Sequence, residues 1–130
     1  MTDRNALTDP GSRRDFFRAA LGSGGITVTP NFSSVNFGNR SSVLTAAHTF
    51  ENTCVYALNG SGMYLRNAPY LAVAGKLVSV EARQASALND LLNPKSGDFA
   101  PNVFDAGLTP QQVVAIVQPF VVETITVTNT

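Results

Sequence analysis

The chain contains few of the residues on which common catalytic and metal-binding sites depend. Its 130 residues include one histidine, one cysteine and no tryptophan. A single cysteine, Cys54, excludes an internal disulfide and a cysteine metal cluster within one chain, and its apolar surroundings predict a core thiol. A serine triad would need His48, which no surrounding motif supports. No apolar run reaches eighteen residues, so the sequence contains no ordinary membrane-spanning helix.

Charge is also scarce and balanced. Nine basic and nine acidic residues give a net charge of zero, and only 14% of the residues are charged. Nothing therefore indicates binding to nucleic acid or to an anionic surface. The low charge, together with 44% apolar residues, indicates that a partner covers part of the apolar surface. The length suffices for one domain with a modest core.

The N-terminal segment, residues 1–40, is rich in small polar residues and is not predicted to belong to the fold. Its one motif, Ser12-Arg13-Arg14-Asp15-Phe16-Phe17-Arg18, resembles the twin-arginine export signal of bacteria. The following stretch, residues 19–29, is short and weakly apolar, and it has no clear small-x-small cleavage site. We expect a periplasmic or other extracytoplasmic protein; the alternative is a disordered basic tail.

The remaining pattern predicts an all-α protein. A first helix from Ser42 to about Asn59, capped by Ser41 or Ser42, could resume after a kink at 59–62. A second helix runs from Pro69 to Leu92. A short third helix starts at Thr109, with Pro110 at its first position, and residues 120–130 form a strand or a frayed tail. The fold class is thus an antiparallel helical hairpin (domain 41–122) with a short C-terminal helix, a disordered N-terminus (1–40) and a tail (123–130).

Two glutamates lie on helix faces that should be buried. Helical steps of three, four and seven residues from Glu81 and from Glu51 reach mainly apolar residues. A buried carboxylate is costly unless it is paired, protonated or bound to a metal. This pair is therefore the main indication of function, and it could be either a structural polar pair or part of a metal site.

The spacing around these glutamates is related to that of helical metal sites. Di-iron bundles use Glu from some helices and Glu-x-x-His from others. Glu81 and Gln84 have that spacing, with Gln in place of His, and Gln is a weak ligand for iron or manganese. His48 and Glu51 are also three residues apart, in reversed order. The candidate metal ligands are Glu51 and Glu81, then, more weakly, Gln84 and His48. The structural alternative makes Gln84 a polar bridge and His48 an ordinary histidine.

Several segments resemble the ferritin-like domain family that includes desiccation-related proteins of bacteria, fungi and plants. They are Thr49-Phe50-Glu51-Asn52-Thr53 with Val55-Tyr56, Gly60 and Gly62, then Val80-Glu81-Ala82-Arg83-Gln84-Ala85-Ser86, and Phe104-Asp105 before Leu108. The resemblance covers residues 41 to about 122 and implies the second half of a four-helix bundle. It implies that Glu51 and Glu81 match the acidic positions of the third and fourth bundle helices. Gln84 departs from the family histidine, and Cys54 stands where the family usually has Gly.

Residues 1–40 offer no counterpart of the first two bundle helices, which suggests an internal deletion. Two copies could then form one bundle, a partner could supply the missing half, or the chain could be a truncated product. The resemblance implies an exported, non-catalytic structural or stress-associated binding protein. One alternative is a homodimeric di-metal carboxylate protein that binds or oxidises iron or manganese. Another is an adapter that completes a bundle with a partner chain.

Overall fold

A computed structural model of the protein describes residues 27–128. Residues 1–26 and 129–130 lie outside the described residues. The twin-arginine-like motif therefore lies outside them as well, as do most of the predicted export segment and the last two residues of the tail.

The first helix, α1, spans Arg40–Ser61. Its N-cap is Asn39, whose side-chain oxygen accepts a hydrogen bond from the Ser42 backbone N–H at 3.1 Å. The predicted cap at Ser41 or Ser42 was wrong. The helix begins at Arg40, so the residue that caps its unpaired N–H groups is Asn39. The Ser42 hydroxyl instead accepts from the Asn36 N–H at 2.9 Å. The predicted continuation beyond the glycines was also wrong: α1 ends at Ser61 and residues 62–64 form a turn.

The other two helices begin where their sequence signals predicted. The second helix, α2, spans Ala68–Leu92, with Asn67 as N-cap and a proline in its first turn. The third, α3, spans Pro110–Val117, and a 3₁₀ helix at Gln118–Phe120 continues it. Thr109 and Gln112 form a reciprocal capping box at the start of α3. Proline in the first turn is favourable because the N–H that it lacks would have no partner there.

The hairpin prediction is confirmed. α1 and α2 pack against each other, and α3 packs against α1. Among residues 27–128 there is no strand, only one isolated bridge between Pro30 and Val121. None of the described helices is long and apolar enough to cross a bilayer.

The segment before α3 runs directly over α1. The Leu108 N–H donates to the Tyr56 carbonyl at 3.0 Å. Gly60 is buried at this crossing, and a Cβ added there would lie 2.8 Å from the Leu108 carbonyl carbon and 2.9 Å from the Leu108 nitrogen. Glycine is required here because any side chain would displace the crossing backbone.

The two ends of the described chain meet beside α1. The Asn31 N–H donates to the Phe120 carbonyl at 2.8 Å, and the Val122 N–H donates to the Thr29 carbonyl at 2.9 Å. The Phe50 ring lies 6.2 Å from the Phe32 ring and 4.7 Å from the Phe120 ring. Residues 29–32, which the sequence analysis placed in the N-terminal segment outside the fold, therefore contact the C-terminal segment.

The described residues bury little apolar surface. Among them the buried apolar side chains are Val55, Ala74 and Ala85. Large apolar side chains such as Leu71, Leu91 and Phe104 are exposed. Two helices bury only the faces that they share, so most of their apolar residues stay near the surface.

The close contact between Gly60 and the Leu108 backbone predicts that two glycine substitutions have opposite effects on stability. Gly60→Ala should lower the free energy of unfolding by about 1–3 kcal/mol, because its Cβ would meet the Leu108 backbone. Gly75→Ala, with nothing within 4 Å of the new Cβ, should raise it by about 0.5–1 kcal/mol. Urea unfolding at one fixed protein concentration measures both values. Effects of the same sign would contradict the crossing described here.

The meeting of the two ends predicts a pH-dependent contribution to stability. Hydrogen bonds from the Thr29 hydroxyl and N–H, both 2.7 Å, lower the pKa of Glu123 below its ordinary value of 4.5. A lowered folded-state pKa stabilises the fold above about pH 4.5, and the contribution is lost as the pH falls through the lowered pKa. Glu123→Gln should therefore reduce the urea midpoint at pH 7 modestly, since the carboxylate is exposed. The difference from the wild type should vanish in acid; a difference that does not change with pH would refute the assignment.

Candidate functional site

Glu81 lies on the side of α2 that packs against α1. Its side chain is 9% exposed. Ala74 and Ala85, about two turns before it and one turn after it, are buried on the same helix face. The carboxylate is therefore held in largely apolar surroundings, as the helical spacing predicted.

Glu51 and Gln84 lie beside Glu81 on the two helices. Glu51 is half-buried on α1, and Gln84 is exposed on α2, three residues after Glu81. Positions three apart on a helix are neighbours on its surface, so Glu81 and Gln84 share one edge of α2. Packing of α1 along α2 brings Glu51 to the same edge.

One amide group joins the two carboxylates. With its nitrogen turned towards them, the Gln84 side chain donates to a Glu81 carboxylate oxygen at 3.1 Å and to a Glu51 carboxylate oxygen at 3.2 Å. The amide orientation follows from hydrogen bonding, because an amide nitrogen can donate to a carboxylate and an amide oxygen cannot. We call these three residues the Glu51–Glu81–Gln84 cluster. Of the two alternatives that the sequence left open for Gln84, the geometry places it as a bridge.

The cluster concentrates negative charge at a half-buried position. Two carboxylates that share one amide repel each other, and the two N–H dipoles of Gln84 offset part of that repulsion. Among residues 27–128, no buried side-chain nitrogen or oxygen atom lacks a hydrogen-bond partner. The buried polar side-chain atoms of the described residues are therefore satisfied by the protein itself.

His48 has a different environment. The Asn52 side-chain nitrogen lies 2.7 Å from His48 Nε2. His48 and Asn52 line a surface cavity that none of the three cluster residues lines. No group of three or more His, Cys, Asp or Glu side chains within residues 27–128 could hold a metal ion. The structure thus brings together Glu51, Glu81 and Gln84, and it does not add His48 to them.

These residues do not fit a metal centre within one chain. In this orientation Gln84 turns its N–H groups, and not its ligating oxygen, towards the two carboxylates. Two carboxylates alone fall short of the inward carboxylate and histidine set that di-metal bundle sites use. The assignment of Glu51, Glu81, Gln84 and His48 as metal ligands stays a prediction, and one that a single chain does not complete.

The exposure of Cys54 and the contact between His48 and Asn52 were not predicted from the sequence. Cys54, predicted as a core thiol, is exposed, because it lies on the side of α1 that neither α2 nor α3 covers. The contact between His48 and Asn52 was not anticipated, although their spacing of four residues places them on one helix face. That spacing was the signal that could have revealed it.

Comparison with known protein families identifies a relationship that agrees with the helical fold. The model of the ferritin-like domain family matches residues 9–94, about two thirds of the chain, and the matched region ends just after α2. Neither a curated protein nor a solved structure matches the chain. The matched region contains both long helices and all three cluster residues. The chain therefore belongs to the ferritin-like domain family.

Proposed function

We propose that this protein is a non-catalytic member of its family, a helical subunit in which a glutamine amide occupies the place of a metal ion. The observation that carries the proposal is the pair of hydrogen bonds from Gln84 to Glu81 and Glu51, at 3.1 and 3.2 Å. Oxidation of iron needs ligands with available lone pairs and an open coordination position. Here an N–H donor satisfies the carboxylates instead.

We also propose that the subunit works as a homodimer. The described residues bury only three apolar side chains, and two helices cannot form a closed core alone. Both long helices carry residues at steps of three or four that are half-buried or exposed and mostly apolar. On α1 these are Leu44, Ala47, Glu51, Cys54 and Leu58, and on α2 Leu77, Val80, Gln84, Leu88 and Leu91.

We call these ten residues the open face. Steps of three and four are the pattern of helices that pack at shallow angles in bundles. A second copy related by a two-fold axis would cover the open face with the same pattern and would form four helices from two hairpins. A different chain that supplies two helices is the alternative partner.

Sequence resemblance supports the cellular role that we propose. The arginine pair Arg13-Arg14 supports export from the cytoplasm, and the likeness to desiccation-related proteins supports a structural, stress-associated binding role outside it. Neither point depends on the geometry of the cluster. A secreted reporter fusion of residues 1–40 would test export separately.

One observation favours a second function. Glu51 and Glu81 meet at one amide, and a two-fold dimer could gather two such clusters, with four carboxylates and two glutamines. Four nearby carboxylates repel strongly unless cations or protons lie among them. The alternative is therefore a homodimeric di-metal carboxylate protein, in which Gln84 turns its oxygen towards iron or manganese.

Mass and metal content, measured on one sample, distinguish the two functions. We expect a particle of twice the 13.8 kDa chain mass in sedimentation, with far less than one iron or manganese per chain after incubation with either ion. Gln84→His restores the Glu-x-x-His spacing and should raise metal retention above that of the wild type. The matched control, Gln84→Leu, offers no ligand atom and should not raise it.

Iron oxidation turnover by the wild type would overturn the non-catalytic proposal. Stoichiometric metal that is lost in Glu81→Ala would establish the alternative. A monodisperse monomer that unfolds cooperatively would overturn the homodimer proposal. The metal measurements would still test the role of Gln84.

A further inference from the structure

A second feature of the hairpin lies away from the cluster. A cavity of about 380 Å³ opens between α1, α2 and the loop that follows α2. Small-molecule sites usually occupy about 300–1,000 Å³. None of the three cluster residues lines this cavity, so what it binds is independent of the proposed function.

The cavity has an apolar base with aromatic rings beside it. Val55 and Ala85, both buried, form part of the lining, and Tyr56 and Phe99 add two rings. Rings present flat apolar surface to the C–H face of a ligand, and the tyrosine hydroxyl adds a polar group.

The polar lining includes four asparagines, and side-chain hydrogen bonds orient the amides of two of them. Asn52 contacts His48 Nε2 at 2.7 Å, and the Asn89 side-chain nitrogen donates to the Asp98 carbonyl at 3.0 Å. The second bond also ties the loop to α2. With their nitrogens held in this way, both amides present an oxygen that can accept a hydrogen bond. Such preorientation lowers the entropy cost of binding a ligand.

The charge of the lining selects against anions. No lysine or arginine lines the cavity, and its two carboxylates, Asp98 and Asp105, belong to exposed residues. A phosphate or carboxylate ligand would find no lysine or arginine side chain there. Exposed carboxylates are screened by salt and attract cations only weakly. Charge therefore contributes little to ligand selection. Hydrogen bonds to the oriented amides and to the Tyr56 hydroxyl contribute more.

We propose that this cavity binds a small neutral polyhydroxylated molecule of the size of one or two sugar rings. A hydroxyl both donates and accepts, so neighbouring hydroxyls of one ligand can satisfy amide oxygens, amide hydrogens and the Tyr56 hydroxyl together. A sugar also carries a C–H face that can lie against Tyr56 or Phe99. The volume, at the lower end of the usual range, suits a ligand of this size.

Heteronuclear NMR of the ¹⁵N-labelled full chain tests the proposal with three probes. They are the neutral disaccharide maltose, the diamine putrescine and the anion glucose 6-phosphate. Maltose should produce saturable shifts of the side-chain amide signals of Asn52 and Asn89. Putrescine should bind at least tenfold more weakly, and glucose 6-phosphate should bind more weakly than maltose.

Two pairs of variants locate the site. Tyr56→Phe, which removes one hydroxyl, should weaken maltose binding about two- to tenfold, whereas Tyr64→Phe, outside the lining, should not change it. Ala82→Leu places a larger side chain in the lining and should abolish the saturable shifts, whereas Ala72→Leu should preserve them. Absence of saturable shifts with maltose, stronger binding of putrescine, or equal effects of the two tyrosine variants would each overturn the proposal.

Discussion

The structure depends on how two acidic side chains are accommodated where α1 and α2 meet. Glu81 is 9% exposed between apolar neighbours, and Glu51 approaches it from the facing helix. Without a donor between them, the two charges would oppose the helix packing that brings them together. The Gln84 amide, which donates to both, turns a repulsive pair into a hydrogen-bonded cluster. The Gln84 side chain therefore links the acidic residues of both helices in one hydrogen-bonded group.

The other described segments pack against α1. α3 and the segment before it cover α1 at Gly60, and the aromatic rings around Phe50 join the two ends of the described chain. The open face, which includes Glu51 and Gln84 of the cluster, consists of half-buried and exposed residues. A small interior combined with an exposed, regularly spaced apolar face is typical of a subunit whose core is completed by association. Family membership and the two-helix architecture thus lead to the same proposal.

The sequence predicted the helices better than the chemistry. Pro69 and Pro110 marked the starts of α2 and α3 because proline is tolerated only in the first turn of a helix. Glu51 and Glu81 could be placed on the shared face from helical periodicity alone. The Asn39 cap and the end of α1 at Ser61 were missed, since neighbouring polar residues compete as caps and a glycine pair permits both a kink and a stop. The cavity beside His48 could not be foreseen, because it depends on where the loop after α2 lies.

The central claim is that one amide bridges two carboxylates, and side-chain NMR of Gln84 tests it most directly. In the ¹⁵N-labelled chain, the two Gln84 side-chain N–H signals should lie far from solvent-exposed glutamine positions. Glu51→Gln should move one signal and Glu81→Gln the other, because each carboxylate accepts one hydrogen. Signals at exposed-glutamine positions that neither substitution moves would contradict the account.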